Sequence, residues 1–195
     1  MKRNIVLMAS GTGSLAQAVI DAVRQGEIEA DISAIVCDRP AALVIERAKA
    51  SSIPTFVHPM KKDRALWNSE LIDYVDSLHP DLVVSVGFMR ILSPEFVTRF
   101  STINSHPSLL PHFPGAHAVS DALRAGVKET GTTVHWVDEG VDTGKIIGQV
   151  RVPVLPHDDE ETLHERIKIV ERELIVETIK KVLTEINPPA KSMEN

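Results

Sequence analysis

The stretch Ile5-Val6-Leu7-Met8-Ala9-Ser10-Gly11-Thr12-Gly13-Ser14-Leu15-Ala16 decides the fold class. Its first five residues form an unbroken apolar run, as expected of a strand buried on both faces of a parallel sheet. Glycines then break the run, and Leu15, Val19, Ala22 and Val23 recur behind them at helical spacing. Strand, glycine turn and helix in this order predict the first unit of an alternating α/β fold. The basic start Met1-Lys2-Arg3 has the look of a secretory leader, but the apolar run stops at Ser10 and is too short for one.

The same alternation continues outward. Ile32 to Cys37 and Leu82 to Val86 are further apolar runs of strand length. Residues 41–50 are rich in alanine and charge, and Trp67, Leu71, Tyr74, Val75 and Leu78 lie at helical intervals. The first half is therefore predicted to be a doubly wound, mostly parallel, Rossmann-like sheet flanked by helices. The second half differs. A short strand near 101 leads into a loop punctuated by Pro107, Pro111 and Pro114. Residues 131–137 and 145–152 read as two strands joined by the turn-forming segment 138–144. A long C-terminal helix is predicted over 159–183, with Asp158 and Asp159 as N-cap candidates. Leu163, Ile167, Val170, Leu174, Ile179 and Leu183 form its apolar side, Pro188 and Pro189 end it, and 188–195 is expected to be a flexible tail.

Composition bounds the function without naming it. The chain has 195 residues, 43% hydrophobic and 25% charged, with a formal net charge of -6. That length suits one domain. The net charge argues against a general nucleic-acid binder, which needs a basic footprint. It leaves room for a small anionic substrate, because local fields can oppose the net charge. No run approaches the roughly 18–20 apolar residues that span a bilayer. The single cysteine, Cys37, excludes an intramolecular disulfide and suits a reducing cytoplasm.

Three clusters carry candidate chemistry. Gly11-Thr12-Gly13-Ser14-Leu15-Ala16 fits G-x-G-x-x-A, with Asp38 near the end of the second strand as a possible ribose-binding acid. Such a loop presents glycine backbone and helix N–H groups to a phosphate. A nicotinamide site, another phosphate site and a purely structural turn all remain open from this loop alone. The most informative stretch is Asn104-Ser105-His106-Pro107-Ser108-Leu109-Leu110-Pro111. Asn104 and His106, two apart in extended chain, project to the same face. An asparagine amide can donate to a developing oxyanion, and a histidine can donate or move a proton. A capped loop with an exposed histidine remains the plain alternative. Asp142, before Thr143-Gly144, is either a turn aspartate or a carboxylate that orients the histidine. His135 is either a packed strand histidine or a supporting group. His106, His112 and His117 are spaced too irregularly for a zinc site, and no metal is expected. Gly87-Phe88-Met89-Arg90-Ile91-Leu92 could grip a flat heterocycle or simply turn a corner.

Taken together, these motifs resemble the folate-dependent glycinamide ribonucleotide (phosphoribosylglycinamide) formyltransferases, in the same order and over roughly residues 3–185. Ser10 to Ser14 is similar to that family's phosphate loop, 87–92 to its folate segment, 104–111 and His112-Phe113-Pro114-Gly115 to its catalytic segment, and 134–138 with 141–144 to the segment bearing its aspartate. The resemblance implies formyl transfer from 10-formyltetrahydrofolate, taken as co-substrate, to the amine of phosphoribosylglycinamide in purine biosynthesis. It implies Asn104, His106 and Asp142 as the catalytic set. Gly11, Thr12, Gly13 and Ser14 would bind the substrate phosphate and Glu171 its ribose. Arg64, Met89, Arg90, Ile91 and Leu92, with Asn104, Asp138 and Asp142, would bind the folate. Arg64 would lie near the phosphate or on the folate side. One domain over 1–187 would then divide into a phosphate-binding half, about 1–100, and a folate and catalytic half, about 85–187. The expected partners are small molecules, with neither nucleic acid nor membrane, and the chain would be a monomer or homodimer.

Three positions depart from common members: Leu15 where asparagine is frequent, Ser105 where isoleucine is frequent, and Lys168 where some have glutamine. Length and charge also bear on related activities. Methionyl-tRNA formyltransferase carries a further C-terminal domain and a basic tRNA surface, and formyltetrahydrofolate hydrolase carries an N-terminal regulatory domain. Neither is expected in 195 residues of net charge -6. A nicotinamide-dependent oxidoreductase is the more distant alternative, and a nucleotide-binding module without activity is another.

Overall fold

The computed structural model describes residues 2–186. Seven strands, β1 (Arg3–Ala9), β2 (Ala30–Cys37), β3 (Thr55–Val57), β4 (Leu82–Ser85), β5 (Thr102–His106), β6 (Glu129–Trp136) and β7 (Ile146–Pro153), join in one sheet. Six helices accompany them: α1 (Ser14–Arg24), α2 (Leu43–Ala50), α3 (Arg64–Ser77), α4 (Pro94–Arg99), α5 (Ala118–Arg124) and α6 (Glu160–Glu185). The strand order is β3-β2-β1-β4-β5-β6-β7. β1 to β5 run parallel, β6 is antiparallel to β5, and β7 is antiparallel to β6.

Residue alternation builds two apolar layers. Ile5, Leu7 and Ala9 of β1 face the layer that contains Leu15, Ala16 and Val19 of α1 and Ile175, Ile179 and Val182 of α6. Val6 and Met8 face the opposite layer, with Trp67, Leu71 and Val75 of α3 and Phe96 of α4. β2 and β4 divide in the same way, Ile35 and Val84 to one side and Val36 and Val83 to the other. That two-sided burial explains why the strands read as continuous apolar runs.

The strand order reverses between β1 and β4, and an open α/β sheet binds ligands at such a switch point, beyond the carboxyl ends of its strands. Here the loops after β1 and β4 are tied together. Ser10 N–H donates to Gly87 O at 3.0 Å, and Met89 N–H donates to Ser10 Oγ at 2.8 Å.

Several boundaries differ from the sequence reading. α2 begins at Leu43, two residues past the predicted start. β5 continues to His106, so Asn104 sits inside the strand rather than at its end. The three-residue β3 and the short helices α4 and α5 add elements that periodicity did not show. On α6, Val170 and Leu174 are only partly buried, whereas Leu163, Ile167 and Ile179 are in the core. Asp159 is its N-cap, in a reciprocal capping box with Thr162. Asp158 instead accepts from both terminal nitrogens of Arg166 at 2.7 Å. The expected stop at Pro188 and Pro189 and the flexible tail lie outside the described residues.

Candidate active site

A cleft of about 650 Å³ opens at the switch point. The loop after β1 (Gly11 to Leu15), the loop after β4 (Gly87 to Leu92), the end of β5, His135 of β6, residues 138 and 140–142, and Glu160, His164, Lys168 and Glu171 of α6 all line it. Every residue that the resemblance assigned to the site borders this cleft except Arg64, whereas Asp38 and His112, also singled out from the sequence, do not.

Asp142 sits at the centre. Its backbone adopts a left-handed φ of 55°. This turns the carboxylate inward, towards two histidines. Asp142 Oδ2 lies 3.3 Å from His106 Nδ1 and accepts from Gly115 N–H at 2.8 Å. Asp142 Oδ1 lies 3.4 Å from His135 Nε2 and 3.5 Å from the Asn104 amide nitrogen. Burial alone pushes this carboxyl up, but the His135 and Gly115 hydrogen bonds, with the His106 and His135 charges, outweigh it and hold it below the ordinary aspartate value.

The backbone decides where the ring protons sit. A carbonyl only accepts, so His106 Nε2, 2.9 Å from Phe113 O, carries a hydrogen. Its Nδ1 then faces Asp142, and the gap between them is a place for one further proton. His135 Nδ1 likewise donates to Trp136 O at 2.8 Å. Its Nε2 lies 3.3 Å from the Asn104 amide, from which the neutral ring accepts, and 3.4 Å from Asp142 Oδ1, to which the protonated ring donates. The antiparallel register that pairs Asn104 with His135 puts the two side chains together. One amide hydrogen of Asn104 is directed at His135 and the other at Asp142 Oδ1 over 3.5 Å, a long contact that a ligand oxygen can displace.

At one end of the cleft stands the amino terminus of α1. Gly13 is its N-cap at φ 72°, with no side-chain cap on the first turn. The first N–H groups and the positive dipole end are therefore available to an anion. A Cβ on Gly13 would stand 2.6 Å from Val44 Cγ2, so the position demands glycine twice over. Arg47 Nε donates to Thr12 O at 2.8 Å and steadies the loop from outside.

The segment 87–92 offers Met89 and Ile91, both more than half exposed, as apolar surface beside exposed Val141. Three anchors hold it. Ser10 binds its backbone, Arg90 Nε donates to Asp38 Oδ2 at 2.6 Å, and Arg64 donates to Ile91 O. Arg64 lies on this side of the cleft and also stacks on Trp67 at 4.5 Å. Asp138 caps its own turn, accepting from Gly140 N–H at 3.0 Å and Thr143 Oγ1 at 2.7 Å. Asp38, the possible ribose acid of a nicotinamide site, is buried, pairs with Arg90 through Oδ2, and does not line the cleft.

Sequence reasoning missed Gly115 and Phe113 as backbone partners of the site. Their roles depend on how the proline loop folds back, which no residue spacing reveals. The only signal was Gly115 itself, whose φ of 88° favours glycine.

The match to the formyl transferase family model extends over residues 3–179. The chain belongs to the formyl transferase family. It is 49% identical over 187 residues to phosphoribosylglycinamide formyltransferase of Mycobacterium tuberculosis, spanning 92% of this chain and 85% of that one. It is 38% identical to the phosphoribosylglycinamide formyltransferase of Bacillus subtilis, over 93% and 95% of the two chains. Among solved structures, glycinamide ribonucleotide transformylase 1 of Symbiobacterium toebii superposes with a TM-score of 0.91 at 35% identity, covering 94% of this chain and 89% of that one. Phosphoribosylglycinamide formyltransferase of Bacillus halodurans gives 0.90 at 36%, over 95% and 97%.

Proposed function

We propose that this formyltransferase moves the formyl group of 10-formyltetrahydrofolate to the amine of 5-phosphoribosylglycinamide, a step of de novo purine biosynthesis. The products are formylglycinamide ribonucleotide and tetrahydrofolate. The observation that carries the reading is the meeting of Asn104, His106 and Asp142 in one cleft with the uncapped start of α1. The relatives' names agree with it.

In this reading Gly11, Thr12, Gly13 and Ser14 hold the substrate phosphate and Glu171 meets its ribose. Met89, Ile91 and Leu92, with the anchored Arg90 and the backbone near Asp138, receive the flat heterocycle of the folate. Exposed apolar side chains beside fixed polar groups suit such a ring. Arg64 acts from behind, through Ile91. The neutral amine attacks the formyl carbon, a carbon–nitrogen bond forms, and the carbonyl becomes a tetrahedral oxyanion. Asn104 donates to it, and His106 does so by releasing its Nε2–H from Phe113 O, each donor being worth about 2.7–4 kcal/mol in comparable sites. Asp142 keeps His106 oriented and takes part, through water, in passing the proton from the attacking amine to the departing folate nitrogen. Such acid–base help supplies about 10²–10⁴-fold.

Hydrolysis of 10-formyltetrahydrofolate would draw on the same oxyanion donors and carboxylate. Absorbance on incubation with 10-formyltetrahydrofolate, with and without phosphoribosylglycinamide, separates the two. Transfer changes the spectrum only when both are present. A change with the folate alone establishes hydrolysis, and no change in either case overturns both. The further reading is of a cytoplasmic enzyme that acts on small molecules, as a monomer or homodimer, without nucleic acid or membrane. Among the described residues, no helix is long and apolar enough to cross a membrane.

A further inference from the structure

Ser105 stands between Asn104 and His106, and the pleat turns it to the opposite face of β5. On that face Ser105 Oγ donates to Glu171 Oε1 at 2.7 Å. Both residues are 7% exposed. The contact joins two elements 66 positions apart in the chain. It also joins the strand that carries the oxyanion donors to the helix that lines the ribose side of the cleft. Glu171 itself borders the cleft. Among the described residues, Ser105 supplies the one side-chain hydrogen bond that reaches this carboxylate.

We propose that Ser105 is a positioning residue for substrate specificity: its hydroxyl fixes one carboxylate oxygen of Glu171, so that the other is aimed at the hydroxyls of the bound ribose. The inference rests on the assignment of Glu171 to the ribose. A glutamate has three rotatable side-chain bonds, and an unanchored carboxylate in a buried setting loses orientation or neutralises. Burial pushes the Glu171 carboxyl up, and the Ser105 hydrogen bond, with the Lys168 and Arg172 charges, pulls it back. Ser105 thus serves both the direction and the charge of this acceptor. Because Ser105 is also the middle residue of Asn-Ser-His, the sugar is held in register with the catalytic side chains on the other face.

The test uses steady-state kinetics of the full chain with phosphoribosylglycinamide and its 2′-deoxyribosyl analogue. Ser105→Ala is expected to raise KM for phosphoribosylglycinamide about tenfold, the loss of one hydrogen bond to a charged group. The KM for the folate and the kcat stay within about twofold of wild type, because the oxyanion donors are untouched. Preference for the ribosyl over the deoxyribosyl substrate falls with it, and Ser105→Thr, which keeps the hydroxyl, restores both. Ser105→Cys, of similar volume but a weak donor, gives an intermediate KM and serves if the alanine variant folds poorly. Glu171→Ala separates the two levels of the claim. If it leaves KM and sugar preference unchanged, the ribose assignment itself fails, and the inference with it. If Glu171→Ala loses the preference while the Ser105 variants keep it, or lose only kcat, the ribose assignment stands and the role of Ser105 is overturned.

Discussion

The chemistry concentrates on a few atoms around Asp142. Two imidazoles, an amide and a backbone N–H converge on one carboxylate, and two carbonyls, Phe113 O and Trp136 O, fix the tautomer of each ring. His135 thereby becomes more than a packed strand residue, because it holds the Asn104 amide. His135→Phe keeps the ring volume and removes the acceptor. It is expected to lower kcat about tenfold, the worth of one ordinary hydrogen bond, with unchanged KM for either substrate. Steady-state kinetics check this, and a wild-type kcat would return His135 to simple packing. Glu171 gives a pH prediction of definite sign. Its carboxyl is raised by burial, so the stability it contributes is full below its unfolded value and is lost as the pH rises through its folded value. Glu171→Gln should therefore melt higher than wild type at about pH 8, and the gap should close towards about pH 3, where the glutamate is neutral in both states. The same variant should bind the ribosyl substrate less well, a trade of function against stability. Equal melting temperatures at both pH values would refute the cost assigned to that buried charge.

At the scale of elements, the site depends on which strands pair and where helices begin. The first turn of α1 is left uncapped by side chains, and Gly13 alone allows the tight approach of Val44. Gly13→Ala should cost more than about 1 kcal/mol, since the left-handed backbone and the contact with Val44 both oppose a Cβ. Denaturant melts measure this, and an unchanged midpoint would contradict it. At α6 the capping box of Asp159 does the opposite job, satisfying the helix end with the chain's own side chains. Asp159→Ala should lower stability by about 1 kcal/mol without altering KM. The parallel half was legible because β1, β2 and β4 are buried on both faces and carry apolar runs, interrupted only by Ser33 in 32–37 and Ser85 in 82–86. β3 was not, since its three residues are a partly exposed edge, and α4 and α5 are too short to show a stripe. Asn104 and His106 were legible from their two-residue spacing. The pairing of Asn104 with His135 was not, because only the antiparallel β5–β6 register creates it.

For the molecule as a whole, the reversal of strand order between β1 and β4 creates the cleft, and the antiparallel return of β6 and β7 closes its far wall with His135 and the 138–142 turn. A chain of net charge -6 can hold a phosphorylated substrate there because the start of α1, not a basic surface, supplies the positive end. The central claim is that this geometry performs formyl transfer through Asp142, His106 and Asn104. The most direct measurement is the kcat of Asp142→Asn with both 10-formyltetrahydrofolate and phosphoribosylglycinamide saturating. Asparagine keeps an oxygen for Gly115 and the size of the side chain but removes the charge beside both histidines. A fall of at least about 10²-fold, with KM for both substrates within about threefold of wild type, is the predicted result. Turnover near that of wild type would contradict the account.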